Sequence, residues 1–302
     1  MTKIKAWLSA ARFRTLPLSI SGIIVGTALA NFYGHSNTTI FVLALATTLG
    51  FQITSNFAND YGDGVKGTDN DERIGPKRAY QSGLLSRKEL KRGIIIACFI
   101  NLLLVLAVVY YAFGTQYLLY LLIFALLGIL SIWAAIRYTV GSSAYGYKGF
   151  GDIFVFLFFG ILGVLGSMFL YTKFLVPQAI LPAITIGLLS TGVLNLNNLR
   201  DFASDKNAGK KTLVVQMGFK NGKIYHYTLL VLAFIGMLVF VTANFESWKN
   251  GIPLLAFIPI FLHLKKVRSV QQPVLLDPEL KKLALSTFLL ALLFYFCYNN
   301  FL

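Results

Sequence analysis

Long apolar segments, separated by short polar ones, fill almost the whole chain. Most are about 18 to 22 residues long, the length that a helix needs to cross a bilayer. The pattern predicts nine transmembrane helices, the eighth being the shortest, at about residues 16–33, 39–58, 93–113, 117–137, 151–171, 178–199, 224–244, 251–265 and 283–301. The predicted fold class is therefore an all-α polytopic membrane protein, with a single domain over residues 1–302.

Composition agrees with this prediction. The chain is 56% hydrophobic and 13% charged, whereas a soluble domain carries about 25% charged residues. Residues 1–14 alternate basic and apolar positions, which predicts a short interfacial helix before the first span. Within that span Gly22, Gly26 and Ala30 recur every four residues, a pattern that lets membrane helices approach closely.

The net charge of +15 is distributed in a way that argues against a nucleic-acid partner. If the N-terminus is cytoplasmic, 25 of the 27 Lys and Arg residues lie on the cytoplasmic side, and only Lys173 and Lys249 lie outside. Such a bias is the usual determinant of orientation in a membrane. The lipid bilayer and an anionic substrate are therefore the expected partners.

A first polar cluster follows the second predicted span, a place where carboxylates are costly and are usually functional. Asn56, Asp60 and Asp63 have the spacing i, i+4, i+7, which places them on one face of a helix, with Asn59 beside them. Asp69 follows in the same polar segment. Because like charges one helical turn apart repel each other, this cluster predicts a bound cation.

A second cluster follows the sixth predicted span on the same, cytoplasmic, side. Its residues Asn197, Asp201 and Asp205 again share a helical face. Mg²⁺ takes oxygen ligands and binds through one or two carboxylates plus substrate phosphates. The two clusters together predict one Mg²⁺ site. The predicted metal ligands are Asp60, Asp63, Asp69, Asp201 and Asp205, and the predicted catalytic residues are Asn56, Asp60, Asp63, Asp201 and Asp205.

Basic residues accompany the acids in both cytoplasmic loops, at about residues 59–92 and 200–223. Their number indicates an anion larger than one metal can neutralise, such as a diphosphate. The predicted substrate contacts in these loops are Asn59, Arg73, Lys77, Arg78, Asn197, Arg200, Lys206 and Lys210. Two alternatives are solvated loops whose charges balance each other, and a transporter with carboxylates near the membrane midplane. The position of the acids at span ends favours an enzyme.

A glycine- and tyrosine-rich loop runs from residue 137 to 152, between the fourth and fifth spans. Tyr138, Tyr145 and Lys148 are predicted to contact an aromatic, partly anionic acceptor. The alternative is an ordinary aromatic belt at the membrane interface. The phenylalanines that follow, such as Phe158, are more typical of packing than of shielding a carbocation.

Three stretches together resemble the UbiA superfamily of intramembrane aromatic prenyltransferases: NFANDYGDGVKGTDNDERIGPKR, YTVGSSAYGYKGFGD and NNLRDFASDKNAGKK. Within it they are similar to the members of menaquinone biosynthesis. The resemblance implies a nine-helix fold in the bacterial cytoplasmic membrane. It also implies Mg²⁺-dependent transfer of a polyprenyl group from its diphosphate to 1,4-dihydroxy-2-naphthoate, with loss of the ring carboxylate to give demethylmenaquinone. Hydroxybenzoate or homogentisate is the alternative acceptor.

The sequence departs from the superfamily pattern at two positions. The first motif usually has its last aspartate where this chain has Gly67, so that Asp69 is two residues late. The loop between the fourth and fifth spans usually ends in Glu where this chain has Asp152.

Overall fold

A computed structural model of the chain describes residues 3–68, 74 and 78–301. Helices make up most of that part, which contains no strand. In chain order the helices are α1 (Lys3–Ala11), α2 (Leu16–Phe32), α3 (Thr38–Lys66), α4 (Arg87–Phe113), α5 (Leu118–Arg137), α6 (Gly151–Thr172), α7 (Pro177–Arg200), α8 (Phe202–Asn207), α9 (Leu213–Met217), α10 (Phe219–Ala243), α11 (Trp248–Ser269) and α12 (Pro273–Cys297).

The helical bundle confirms the predicted all-α polytopic fold. Within the described residues, eight helices are long and apolar enough to cross a membrane. The predicted first span corresponds to α2, which forms a pair with α1 bent by 49° and brings the number to nine if that pair is one span. The helix α1 buries Ala6, Ala10 and Ala11, and leaves Ile4 and Leu8 exposed.

Local sequence signals determine where the helices that carry the acids begin and end. Helix α3 starts after Asn37, whose side chain accepts a hydrogen bond from the Ile40 amide, and it ends at Gly67, which has a φ of 69°. Its C-terminal end therefore extends well beyond the predicted span 39–58. Helix α4 begins with a capping box between Ser86 and Glu89.

Close packing of α2 against α6 follows the predicted stripe of small residues. A Cβ atom on Gly22 would lie 2.6 Å from the Phe159 carbonyl oxygen, and one on Gly26 would lie 2.3 Å from the Val164 carbonyl oxygen. Both glycines are therefore needed for the two backbones to approach. The α6 backbone at this contact, Phe156–Gly166, is π-helical, a rare geometry that often marks functional sites.

A buried polar chain connects the last three long helices. Nε2 of His226 on α10 lies 2.9 Å from Nε2 of His263 on α11. The Nδ1 atom of His263 lies 2.7 Å from a carboxylate oxygen of Glu279 on α12. All three side chains are buried, and buried polar groups of this kind need such partners. These contacts fix the N-terminal part of α12 against its neighbours.

Candidate active site

Asn56 connects the end of α1 to the polar face of α3. Its side-chain nitrogen donates to the Ala11 carbonyl oxygen at 2.8 Å, and its oxygen accepts from the Gln52 amide at 3.2 Å. One and two turns further on, Asp60 and Asp63 follow on the same face and are also buried. The helical spacing read from the sequence therefore places these three residues in one row.

Arg78 contacts both aspartates of this row. Its Nη1 atom lies 2.8 Å from Asp63 Oδ2 and donates to the Asn59 carbonyl oxygen at 3.0 Å. Its Nε atom lies 4.0 Å from Asp60 Oδ1. On another side of Asp60, the Arg12 guanidinium lies 4.0 Å from the same oxygen. Two arginines from different segments thus face the buried acids of α3.

Tyr147 and Lys210 connect the first acidic cluster to the second. The Tyr147 hydroxyl donates to Asp63 Oδ1 at 2.7 Å, and Lys210 Nζ lies 5.1 Å from the centre of the Tyr147 ring. The same Lys210 Nζ atom lies 3.6 Å from Asp205 Oδ1. The ends of α3 and α8, distant in sequence, therefore meet at one end of the bundle.

Arg200 holds the remaining residues of the second cluster. Its guanidinium donates to both oxygens of Asp201, at 2.8 and 2.7 Å, and to the Asn197 side-chain oxygen at 2.9 Å. Its third nitrogen donates to Asp277, near the N-terminal end of α12, at 2.7 Å. Four of its five N–H groups are used in this way. Arg200 therefore positions Asp201, and its predicted contact with the substrate stays a prediction.

A cavity of about 420 Å³ leads away from the acidic residues between the helices. Its polar end includes Arg12, Asn56, Asn59, Asp63, Arg78 and Lys210, and its apolar part includes Val105, Val109, Phe124, Leu127, Leu162 and Leu170. At the apolar end, Phe124 packs against Phe113 and Phe169 with ring centres 5.0 and 5.4 Å apart. The cavity thus has a charged end and an apolar, aromatic end.

The electrostatics at the polar end suit a bound cation. Burial raises the pKa of the Asp205 carboxyl to about 6 in spite of Lys210, and the charges of Asp201 and Asp63 add to the rise. Its buried Oδ2 atom has no hydrogen-bond partner among the described residues. A cation beside it would favour the ionised carboxylate.

Within the described part of the chain, no three acidic, histidine or cysteine side chains form a metal-binding group. The acids Asp63, Asp201 and Asp205 are instead each paired with a basic side chain. This donor set fits Mg²⁺, which needs only one or two carboxylates where phosphates and waters supply the other ligands.

Of the other predicted substrate contacts, some line the cavity and others do not. Tyr138, Tyr145 and Asn197 line the cavity, and burial raises the pKa of both tyrosines. Lys148 and Lys206 are exposed and do not line the cavity, so that their roles stay predictions. The predicted residues Asp69, Arg73 and Lys77 lie outside the described residues.

Three residues near the site were not selected from the sequence: Arg12, Tyr147 and Asp277. Arg12 and Asp277 lie far from the acidic motifs in sequence, and no spacing rule connects them. Tyr147 lies in the glycine-rich loop beside the predicted acceptor contacts Tyr138, Tyr145 and Lys148. Which tyrosine turns towards Asp63 depends on the loop conformation.

Comparison with known proteins agrees with the geometry. The sequence profile of the UbiA prenyltransferase family matches residues 19–278. The chain is 45% identical over 298 residues to the 1,4-dihydroxy-2-naphthoate octaprenyltransferase of Haemophilus influenzae, across 97% of this chain and 95% of that protein. It is 44% identical over 294 residues to the Escherichia coli protein of the same name, with coverage of 97% and 95%.

A solved structure gives the same fold. A UbiA homolog from Archaeoglobus fulgidus, bound to DMAPP and Mg²⁺, matches with a TM-score of 0.70 at 15% identity, over 98% of this chain and 99% of that one. The resemblance read from the three sequence stretches is confirmed. With a family profile matched over most of its length and two acidic motifs meeting at the mouth of an apolar cavity, the chain belongs to the UbiA prenyltransferase family.

Proposed function

We propose that this protein is a Mg²⁺-dependent prenyltransferase that moves a polyprenyl group from its diphosphate to 1,4-dihydroxy-2-naphthoate. The observation that carries the proposal is a cavity with Asp63, Arg78 and Lys210 at one end and apolar walls beyond them. The names of the relatives from Haemophilus influenzae and Escherichia coli supply the acceptor. Loss of the ring carboxylate, giving demethylmenaquinone, is part of the proposal.

The polar end of the cavity binds the diphosphate. Arg78 and Lys210 supply the positive charge, and Asp60, Asp63, Asp201 and Asp205 hold Mg²⁺. When bound, Mg²⁺ stabilises the negative charge that develops on the leaving diphosphate. Because these groups are fixed by their mutual hydrogen bonds and ion pairs, little reorganisation is needed as the bond to the allylic carbon breaks.

The apolar part of the cavity holds the polyprenyl chain, and its walls exclude water from the allylic carbon. The acceptor ring lies near Tyr138 and Tyr145, which line the cavity together with aromatic residues of α6. Phe154 stacks on Tyr145 with ring centres 3.9 Å apart. This aromatic wall suits a flat, bicyclic acceptor. The electron-rich ring carbon then attacks the allylic carbon as the diphosphate leaves.

The location follows from the distribution of charge. We place the protein in the bacterial cytoplasmic membrane, with both acidic clusters on the cytoplasmic side, because that orientation puts nearly all Lys and Arg residues inside. Water-soluble naphthoate and Mg²⁺ would then reach the polar end directly. The polyprenyl chain would enter from the lipid.

A reconstitution assay tests the proposal. Purified protein in detergent is given a polyprenyl diphosphate, Mg²⁺ and, in separate reactions, 1,4-dihydroxy-2-naphthoate, 4-hydroxybenzoate or homogentisate, and products are identified by mass spectrometry. We expect prenylated, decarboxylated product from the naphthoate alone. Chelation with EDTA should abolish its formation, and excess Mg²⁺ should restore it. Product from another acceptor alone, or full activity in EDTA, would contradict the assignment.

Asp277 is expected to affect the use of Mg²⁺ through Arg200. In the Asp277→Asn variant, Arg200 loses one of its charged partners and holds Asp201 less firmly. Because the Asp277 side chain is partly exposed, we expect a cost of about 1 kcal/mol, roughly a fivefold rise in the Mg²⁺ concentration for half-maximal activity. Titration of Mg²⁺ checks this, with the exposed Glu246→Gln as control. An unchanged midpoint would show that Asp277 does not act on the site.

A further inference from the structure

We propose that Arg12, in the bend between α1 and α2, is a further diphosphate-binding residue of this enzyme. The inference rests on the proposed function and adds a substrate contact from outside both acidic motifs. It assigns the N-terminal segment a part in substrate binding, where the sequence pattern indicated only an interfacial helix.

The backbone at Arg12 is held in an unusual conformation. Its φ and ψ of 53° and 57° lie in the left-handed region, which favours glycine and asparagine and disfavours other residues. Among the described non-glycine residues only Arg12 and Lys173 have a positive φ. A residue kept in this region against its preference often marks a functional site.

Contacts on both sides of Arg12 fix this conformation. The carbonyl oxygen of Ala11, directly before it, accepts the hydrogen bond from Asn56 on α3. The carbonyl oxygen of Arg12 itself accepts from both the amide and the hydroxyl of Thr15, each at 2.9 Å. The Trp7 ring packs edge-on against Phe57 at 5.1 Å and anchors α1 on α3. The bend is therefore held in place by tertiary contacts.

The consequence of the bend is that the Arg12 side chain enters the cavity. It lines the polar end, with only 22% of the side chain exposed, and its Nη2 atom lies 4.0 Å from Asp60 Oδ1. At that separation the contact is an ion pair and not a hydrogen bond. Arg12 therefore brings a positive charge to the place where the α3 acids meet the cavity.

The charge of the polar end also supports the assignment. Arg12, Arg78 and Lys210 come from three separate segments and stand beside Asp60, Asp63 and Asp205. These side chains roughly balance one another, so a bound Mg²⁺ creates an excess of positive charge that an entering diphosphate neutralises. Arginine suits this role because its planar fork of donors matches phosphate oxygens.

The Arg12→Asn variant separates the effect of the guanidinium group from the effect of the backbone conformation. Asparagine tolerates the left-handed region better than most residues, so the bend is expected to persist without the charge. We expect a roughly 10- to 100-fold rise in KM for the polyprenyl diphosphate, the range for a lost charge-assisted hydrogen bond. The KM for the naphthoate should stay unchanged. Arg12→Lys keeps the charge without the fork and should give an intermediate KM.

Binding of inorganic pyrophosphate provides a readout that does not depend on turnover. Isothermal titration with Mg²⁺ present should show the affinity of the Arg12→Asn variant lowered by a similar factor. Lys5→Gln removes a positive charge from the exposed side of α1 and should bind pyrophosphate as the wild type does. An unfolding temperature close to that of the wild type would show that the Arg12→Asn fold is intact.

The outcomes separate this inference from the proposed function. Unchanged pyrophosphate affinity and an unchanged KM for the diphosphate substrate in Arg12→Asn would overturn the role of Arg12, while wild-type prenyl transfer would still support the proposed function. If Arg12→Asn does not fold, the Arg12→Lys variant decides, and wild-type values for it would also overturn the inference. Failure of the wild type to transfer a prenyl group would reject the proposed function itself.

Discussion

Replacing Asp60 by Asn is expected to lower turnover by roughly 10²- to 10³-fold, even at saturating Mg²⁺. The Asp60 side chain is fully buried in the row of polar residues on α3, and two arginines lie 4.0 Å from one of its oxygens. Asparagine keeps the shape of the side chain and removes its charge. The loss therefore falls on metal binding and on stabilisation of the leaving diphosphate.

Steady-state turnover at several Mg²⁺ concentrations measures this effect. Glu89→Gln is the matched control, because it removes a carboxylate outside the cavity and glutamine can also complete the capping box at the start of α4. Its turnover should be close to that of the wild type. Near-normal turnover in Asp60→Asn would mean that Asp60 neither binds the metal nor contributes to catalysis.

Arg78→Gln is expected to weaken the fold as well as the reaction. Arg78 pairs with Asp63 at 2.8 Å, and both side chains are largely buried. Removing one partner of such a pair leaves a buried carboxylate less well compensated. We expect the free energy of unfolding to fall by about 3 kcal/mol. This value is at the low end of the usual range because Lys210 and Tyr147 still interact with Asp63. Activity should fall together with stability, since Arg78 also lines the charged end of the cavity, where we propose that the diphosphate binds.

Thermal unfolding in detergent, with and without Mg²⁺, tests this prediction. Mg²⁺ should restore more stability to Arg78→Gln than it adds to the wild type, because a bound cation replaces the missing positive charge. Arg87→Gln provides the control: Arg87 lies on the surface and contacts Tyr61. Equal unfolding temperatures for Arg78→Gln and the wild type would contradict a compensating role for Arg78.

The long helices and the row of acids on α3 could be predicted from the sequence, because both depend on local spacing. Apolar length determines a transmembrane helix, and the i, i+4, i+7 pattern places Asn56, Asp60 and Asp63 on one face wherever the helix continues. The extension of α3 to Lys66 was harder to predict from the sequence. Hydropathy detects only the part of a helix that lies in lipid, and the helix goes on until Gly67 ends it.

The contacts that complete the site depend on tertiary structure and leave no local signal. Asp277 reaches Arg200 across 77 residues, and His226 meets His263 across 37. The three histidines show no ligand spacing in the sequence, and the structure gives two of them a role in joining helices. Arg12 enters the cavity only because the backbone turns at a residue that would ordinarily continue a helix.

The π-helical stretch of α6, Phe156–Gly166, has a consequence for how the channel wall is built. Cavity-lining residues recur there as adjacent pairs, Phe158 with Phe159, Leu162 with Gly163 and Gly166 with Ser167. A turn that is wider than in an α-helix keeps such pairs in line over several turns. Deletion of one residue would rotate the residues on one side of the gap by about 100° relative to those on the other side. The width and chemistry of the cavity thus depend on the winding register of α6 as well as on the side chains that line it.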